Sequence, residues 1–311
     1  MEDPLTLPPD RFTGVLAAAL TPLDANLRPN HDLMADHSRW LLNNGCDGLA
    51  ILGTTGEANS FSLAERINII EALVDNGIPG EKLLPGTGSC ALTDAVELTG
   101  KAIEAGAGGV LMLPPFYYKD PSDAGLHAFF SEVIERIGDN RLKIYLYHFP
   151  RMSATPITHG LIELLRKDYP ETVVGVKDSS GDLDNMLSMV REFPGFSVLS
   201  GADDLLLPVL QGGGGGCITA CANVGSRLAA DVYAGHLAGH NVDAAQERLV
   251  AVRREISQFP LPPALKTLMA RHMGNDGWLN VRPPLTRLSE EQKTSLLAAF
   301  DGIDYEMPAA A

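Results

Sequence analysis

Short aliphatic runs of strand length recur along this chain, each separated from the next by a stretch whose apolar residues fall at helical intervals. The runs lie at 14–20, 48–52, 83–86, 109–113, 143–147, 172–176, 196–199 and 217–220. Amphipathic stretches at 63–74, 94–105, 125–137, 157–166 and 203–211 come between them. Alternation of this kind is the mark of successive βα units, in which every strand is followed by a helix that covers it. Ser62, with Glu65 three residues on, adds a capping box at the start of one predicted helix. Eight such units predict an α/β fold, a (β/α)8 TIM barrel over residues 11–226, with a doubly wound sheet as the alternative. Residues 227–305 carry no strand pattern. Helical stretches at 244–259 and 263–272, punctuated by Pro260, Pro262 and Pro263, and a last helix after Pro283 and Pro284 predict a C-terminal helical extension. Residues 308–311 read as a frayed end.

Charge narrows the ligand class. With 24 Lys and Arg against 39 Asp and Glu, the formal charge is -15, and no basic run interrupts it. Such a surface repels phosphate backbones, so nucleic acid is not the expected partner. No apolar stretch approaches the ~20 residues that span a bilayer, and Met1, Glu2, Asp3 and Pro4 do not open a signal peptide, which predicts a cytoplasmic protein without membrane contact. Cys46, Cys90, Cys217 and Cys221 are too scattered for a disulfide framework or a zinc site and read as small core residues. His236 and His240 share a predicted helical face but lack a third ligand, so no metal is expected.

In a barrel the reacting groups sit just past the carboxyl ends of the strands. After the second run, Gly53, Thr54, Thr55, Gly56 and Glu57 combine two glycines with two hydroxyls, a loop suited to a carboxylate and equally readable as a capped turn. After the fourth run, Pro114 and Pro115 lead into Phe116, Tyr117 and Tyr118. The fifth carries Tyr145 and Tyr147 on one face, so both are candidates for the interior, with one at the mouth. The sixth, Val173, Val174, Gly175 and Val176, runs straight into Lys177 and then Asp178, Ser179, Ser180 and Gly181. A lysine closing an apolar strand is predicted to sit where its charged form is disfavoured, leaving an amine nucleophile that forms a Schiff base with a ketone. The bland alternative is a lysine held in a salt bridge.

These motifs resemble the pyruvate-dependent class I aldolases and synthases, the family of dihydrodipicolinate synthase and N-acetylneuraminate lyase. The resemblance runs from Thr21 and Pro22 to Pro283, Pro284 and Leu285. It implies that Lys177 is the Schiff-base lysine, Tyr147 its proton shuttle and Thr54 the relay. It also implies that Gly53, Thr54 and Thr55 hold the keto-acid carboxylate, and that Gly201 and Ile218 line the pyruvate pocket. Tyr117 resembles the tyrosine inserted into a neighbouring subunit, which implies a homo-oligomer, a dimer or a tetramer of paired dimers. No cofactor is implied, since the imine nitrogen is itself the electron sink.

Departures from the family bear on the substrate. Dihydrodipicolinate synthase has an arginine for the second substrate's carboxylate where this chain has Met152; Arg151 is adjacent, displaced by one residue. Neuraminate lyases place an acidic pair at the positions of Asp203 and Asp204, yet Ala220 stands where their serine is expected. The expected reaction is therefore cleavage, condensation or dehydration of a 2-keto-3-deoxy sugar acid, with Asp203, Asp204 and Arg151 as distal substrate contacts. Tetrahydrodipicolinate synthesis from pyruvate and aspartate semialdehyde, and neuraminate cleavage, are the alternatives. For Asp203 and Asp204 a helix-start role stands beside the substrate role. Two further readings stay open. Gly86, Thr87, Gly88, Ser89, Cys90 and Ala91 loosely match a dinucleotide loop, and the barrel could bind a keto acid as a sensor without chemistry. The glycines 212–216 lack the Lys and Ser/Thr of a phosphate loop and read as a tight turn.

Overall fold

A computed structural model describes residues 7–309. Seven parallel strands form one sheet: β1 (Gly14–Ala17), β2 (Gly48–Leu49), β3 (Val110–Met112), β4 (Ile144–His148), β5 (Val173–Asp178), β6 (Ser197–Ser200) and β7 (Gly216–Thr219), in the order β2-β1-β7-β6-β5-β4-β3. The eighth expected run, 83–86, joins the two edges instead of forming a full strand. Leu84 N–H donates to Leu49 O, Gly86 N–H to Ile51 O, and Leu111 N–H to Pro85 O, at 2.8–2.9 Å. The segment forms one isolated bridge to each neighbour, and on the β3 side Pro85 has no N–H to give. The ring of parallel segments is nonetheless complete, and the fold is an α/β TIM barrel.

All residues of the seven strands are buried, as parallel strands covered on both faces must be. Alternation sorts them into two cores. Leu16, Leu111, Tyr145, Tyr147, Leu199 and Ile218 fill the barrel interior. Val15, Val110, Ile144, Leu146, Val198 and Cys217 face outward under the helices. The helix Leu63–Asp75 starts on the predicted capping box, with Ser62 Oγ accepting from Glu65 N–H and the Glu65 carboxylate accepting from Ser62 N–H.

Beyond β7 no strand occurs among the described residues. The helix Ala222–Leu237 breaks at Gly225, and the helices Asp243–Ile256, Leu261–Met273 and Glu290–Asp301 follow. Leu249, Leu265, Trp278 and Phe300 join the same outer core as Val15 and Ile51, so these helices share the hydrophobic layer that surrounds the strands.

Three local expectations are corrected. Cys90 is exposed on the turn before the helix Leu92–Glu104, whereas Cys46, Cys217 and Cys221 are buried. The helix Ala222–Leu237 ends before His240, so His236 and His240 do not share it. The C-terminus is tied down as far as Ala309, whose carbonyl accepts from Trp40 Nε1–H at 3.1 Å; residues 310 and 311 lie outside the described chain.

Candidate active site

Strict alternation along β5 would turn Lys177 outward, because Val173 faces the helices and lies four residues earlier. A register shift prevents this. Ile144 pairs with Val173 but Tyr145 pairs with Gly175, leaving Val174 as an extra residue on β5. Such a bulge resets the pleat: Val174 and Gly175 face the interior, Val176 turns outward, and Lys177 comes in beside Tyr147. Glycine is required at 175, since a Cβ there would lie 2.6 Å from the Tyr145 ring and 2.6 Å from Ser197 O. Of the two tyrosines, Tyr145 is anchored at the barrel floor, where its Oη accepts from Phe12 N–H at 2.6 Å, and burial pushes its phenol pKa up. Tyr147 lies toward the carboxyl end.

Lys177 is 5% exposed, and its Nζ stands 4.5 Å from the centroid of the Tyr147 ring. The contrast with Lys266, also buried, is instructive. Lys266 is paired with Glu57, whereas among the described residues no carboxylate pairs with Lys177. The salt-bridged reading of Lys177 is thereby excluded for the described chain. Phe149 stacks on Tyr147 at 5.7 Å between centroids.

The first two residues of the loop 53–57 reach Tyr147. Gly53, Thr54, Tyr147 and Arg66 line one small cavity of about 30 Å³, together with Gly86 and Gly88. A Cβ on Gly53 would meet nothing within 4 Å, so its backbone is open to approach. Thr54 is exposed and Thr55 buried. Gly86 and Gly88 have a packing reason that disposes of the dinucleotide-loop reading: a Cβ would lie 2.1 Å from Leu52 O at the first and 2.4 Å from Leu113 O at the second. The main chains after β2 and before β3 approach too closely for any side chain.

Arg66 is the residue that motif reading missed. Its guanidinium donates to Gly86 O at 2.8 Å and Gly88 O at 3.3 Å, and burial pulls its pKa down to about 10 against the opposing pull of Asp94. A signal was available: Arg66 interrupts the apolar stripe of Ile69, Ile70 and Leu73 on the buried face of its helix.

Ile218 lies on β7 in the barrel interior with Tyr147, and Gly201 follows β6, its N–H donating to Asp178 O at 2.7 Å. Tyr117 and Tyr118 are 72% and 81% exposed and pack edge to face, 5.4 Å apart. Two expectations need correction. Asp203 and Asp204 do not line the cavity beside Tyr147 and bind Arg253 instead. Asp203 is fully buried, accepting from Thr219 Oγ1–H at 2.6 Å and Arg253 at 3.3 Å, and Asp204 pairs with Arg253 at 2.8 Å. Burial pushes the Asp203 carboxyl pKa up, against the pull of Arg253. Arg151 and Met152 lie not on an extended segment but on the helical turn Pro150–Ser153, where one residue rotates a side chain by about 100°.

Comparison with known proteins agrees with this geometry. A family model described as the dihydrodipicolinate synthetase family matches residues 11–302. An uncharacterized DapA-like lyase of Chloroflexus aurantiacus is 34% identical over 298 residues, covering 93% of this chain and 96% of the relative. The crystal structure of dihydrodipicolinate synthase from Agrobacterium tumefaciens C58 superposes with a TM-score of 0.87 at 31% identity, covering 94% of this chain and all of that one. YagE, a prophage protein of the same family from E. coli K12 solved in complex with pyruvate, gives 0.86 at 26% identity over 93% of this chain and 98% of its own. The chain belongs to the dihydrodipicolinate synthetase family and is a class I lyase of that family.

Proposed function

We propose that this lyase forms a Schiff base between Lys177 and the C2 carbonyl of a 2-keto acid with a pyruvate moiety, and that its substrate is a 2-keto-3-deoxy sugar acid. The observation that carries the reading is the buried Lys177 amine, facing Tyr147 with no paired carboxylate among the described residues. Gly53, Thr54 and Thr55 hold the substrate carboxylate through hydroxyl and amide donors, and Gly201 and Ile218 line the pocket for its pyruvate end. The free amine of Lys177 adds to C2. Tyr147, relayed by Thr54, moves the proton that lets the carbinolamine lose water as the iminium. In aldol cleavage a proton leaves the C4 hydroxyl, the C3–C4 bond breaks, an aldehyde departs, and the electron pair enters the iminium to give an enamine. Protonation at C3 and hydrolysis release pyruvate and restore Lys177. Condensation is the reverse, and removal of a C3 proton, with its electron pair entering the same sink, followed by loss of the C4 hydroxyl as water from the enamine, gives dehydration.

Tyr117, exposed here, completes the relay of a second copy, so the working form is a homo-oligomer. Residues 11–226 act as the catalytic barrel and 227–305 as a helical extension that supports it. Met152 in place of a carboxylate-gripping arginine favours the sugar acid, with Arg151 as the remaining distal contact. The likeness to a dihydrodipicolinate synthase at 31% identity favours a second reading, condensation of pyruvate with aspartate semialdehyde.

Borohydride reduction with pyruvate tests the chemistry. The expected result is a carboxyethyl adduct on Lys177 that Lys177→Met abolishes. Labelling elsewhere, or none, refutes it. A panel of 2-keto-3-deoxy acids tests the substrate, and faster turnover of pyruvate with aspartate semialdehyde would establish the second reading.

A further inference from the structure

The loop 53–57 is bracketed by two strained residues. Leu52 and Glu57 both take positive φ, 55° and 58°, without being glycine. Such conformations persist only where the surroundings over-determine them, and they gather at functional sites. What holds Glu57 comes from the other end of the chain. Its carboxylate and the Lys266 ammonium are both fully buried and in direct contact, and its Oε2 accepts from Arg282 N–H at 2.9 Å. Lys266 Nζ also donates to Asn280 O at 2.8 Å, while Asn280 Nδ2 donates to Leu23 O at 3.0 Å. The Arg282 guanidinium donates to Ser60 O at 2.7 Å, pairs with both Glu65 oxygens and covers the Phe61 ring at 4.4 Å.

Stability alone does not account for a charge pair here. A buried ion pair loses hydration on both partners, and apolar groups of similar volume hold two elements together as well or better. The pair supplies direction instead. A carboxylate gripped by an ammonium on one oxygen and a backbone N–H on the other can point only one way, and Glu57 N–H closes the loop onto Thr54 O at 3.2 Å.

We propose that Glu57 and Lys266 are positioning residues of the reaction: through them the helix Leu261–Met273 sets the loop 53–57, and with it the Thr54 and Thr55 hydroxyls. This rests on the loop's proposed role as the carboxylate holder. Lys177 lies on β5, outside the network, so the device acts on capture of the keto acid and not on the amine.

The test is borohydride trapping over a pyruvate concentration series with the full chain. Glu57→Gln/Lys266→Met removes both charges together, leaving no unpaired ion in the core. It is expected to keep the wild-type circular dichroism, with half-saturation rising about tenfold or more, the scale of a misplaced contact, and with the labelling rate at saturating pyruvate, which the Thr54 relay also touches, falling by less. Glu57→Gln alone preserves shape and is expected to move half-saturation in the same direction. A role limited to stability would alter the melting temperature without that split. Unchanged half-saturation in whichever of the two variants folds overturns the proposal. If the wild-type chain takes no pyruvate label, the Schiff-base reading has failed and this one falls with it; if only the variants behave as wild type, the positioning role alone is lost.

Discussion

Adding one methyl group at Gly175 should damage the active site from below. In Gly175→Ala the new Cβ would lie 2.6 Å from Tyr145 Cδ1, 2.7 Å from Cε1 and 2.6 Å from Ser197 O. Comfortable carbon contacts begin near 3.5 Å, so about 1 Å of movement is needed. Neither neighbour can supply it cheaply. The Tyr145 ring is enclosed in the barrel core and anchored to Phe12 N–H, and Ser197 O belongs to the adjacent strand. Overpacking of this kind costs about 1–3 kcal/mol. At roughly 2–4 °C per kcal/mol, the melting temperature at fixed protein concentration should drop by several degrees. Because Tyr145 pairs with Gly175 and Tyr147 with Lys177 in one register, the displacement should reach the site and slow borohydride trapping of pyruvate about tenfold or more. Val176→Ala is the control. It removes volume from the outward face of the same strand, so it should lower stability and leave trapping alone. The reasoning fails if Gly175→Ala melts and labels like the wild type, or if Val176→Ala slows labelling as much.

Further perturbations probe the surrounding structure. His37 is fully buried among Trp40, Trp278 and Asn223, and burial, aided by nearby His272, pulls its pKa from 6.5 down to about 4 against the Asn223 hydrogen bond. The unfolded chain therefore takes up a proton at His37 below about pH 6.5 that the folded chain refuses until about pH 4, and stability is lost as pH falls through that window. Between pH 7 and 5.5 the loss should be about 1 kcal/mol relative to a His37→Gln variant in urea unfolding, and an equal or opposite pH dependence would contradict it. Arg253→Met leaves Asp203 buried without its cation and should cost about 3 kcal/mol. Asp203→Asn and Asp204→Asn should leave the KM for the best 2-keto-3-deoxy acid unchanged; a rise in KM would return both acids to the substrate site.

Much of this was legible in one dimension, because the signals are local. A strand buried on both faces must be apolar along its length, and a covering helix must be striped, so alternation alone led to the barrel. The carboxyl ends of the runs then pointed to Lys177, Tyr147 and the loop 53–57 as candidates, and the folded chain sets Lys177 against Tyr147 and Tyr147 against Gly53 and Thr54. Pattern misled where geometry depends on a single residue. The segment 83–86 forms bridges instead of a strand, with Pro85 withholding one N–H from β3, and the turn after Pro150 is helical instead of extended.

The remaining facts needed the folded chain. Simple alternation from Val173 would have turned Lys177 away from Tyr147, and only the pairing of β4 with β5 places the extra residue at Val174 that brings it inward. Asp203 and Asp204 carry the same letters whatever they meet, and only packing of the helix Asp243–Ile256 brings Arg253, 50 residues from Asp203, against both. Glu57 and Lys266, 209 positions apart, have no spacing that announces them. Periodicity reports which face of an element is dry; it holds no information on which distant charge will be pressed against it, because that depends on contacts made only once the barrel has closed.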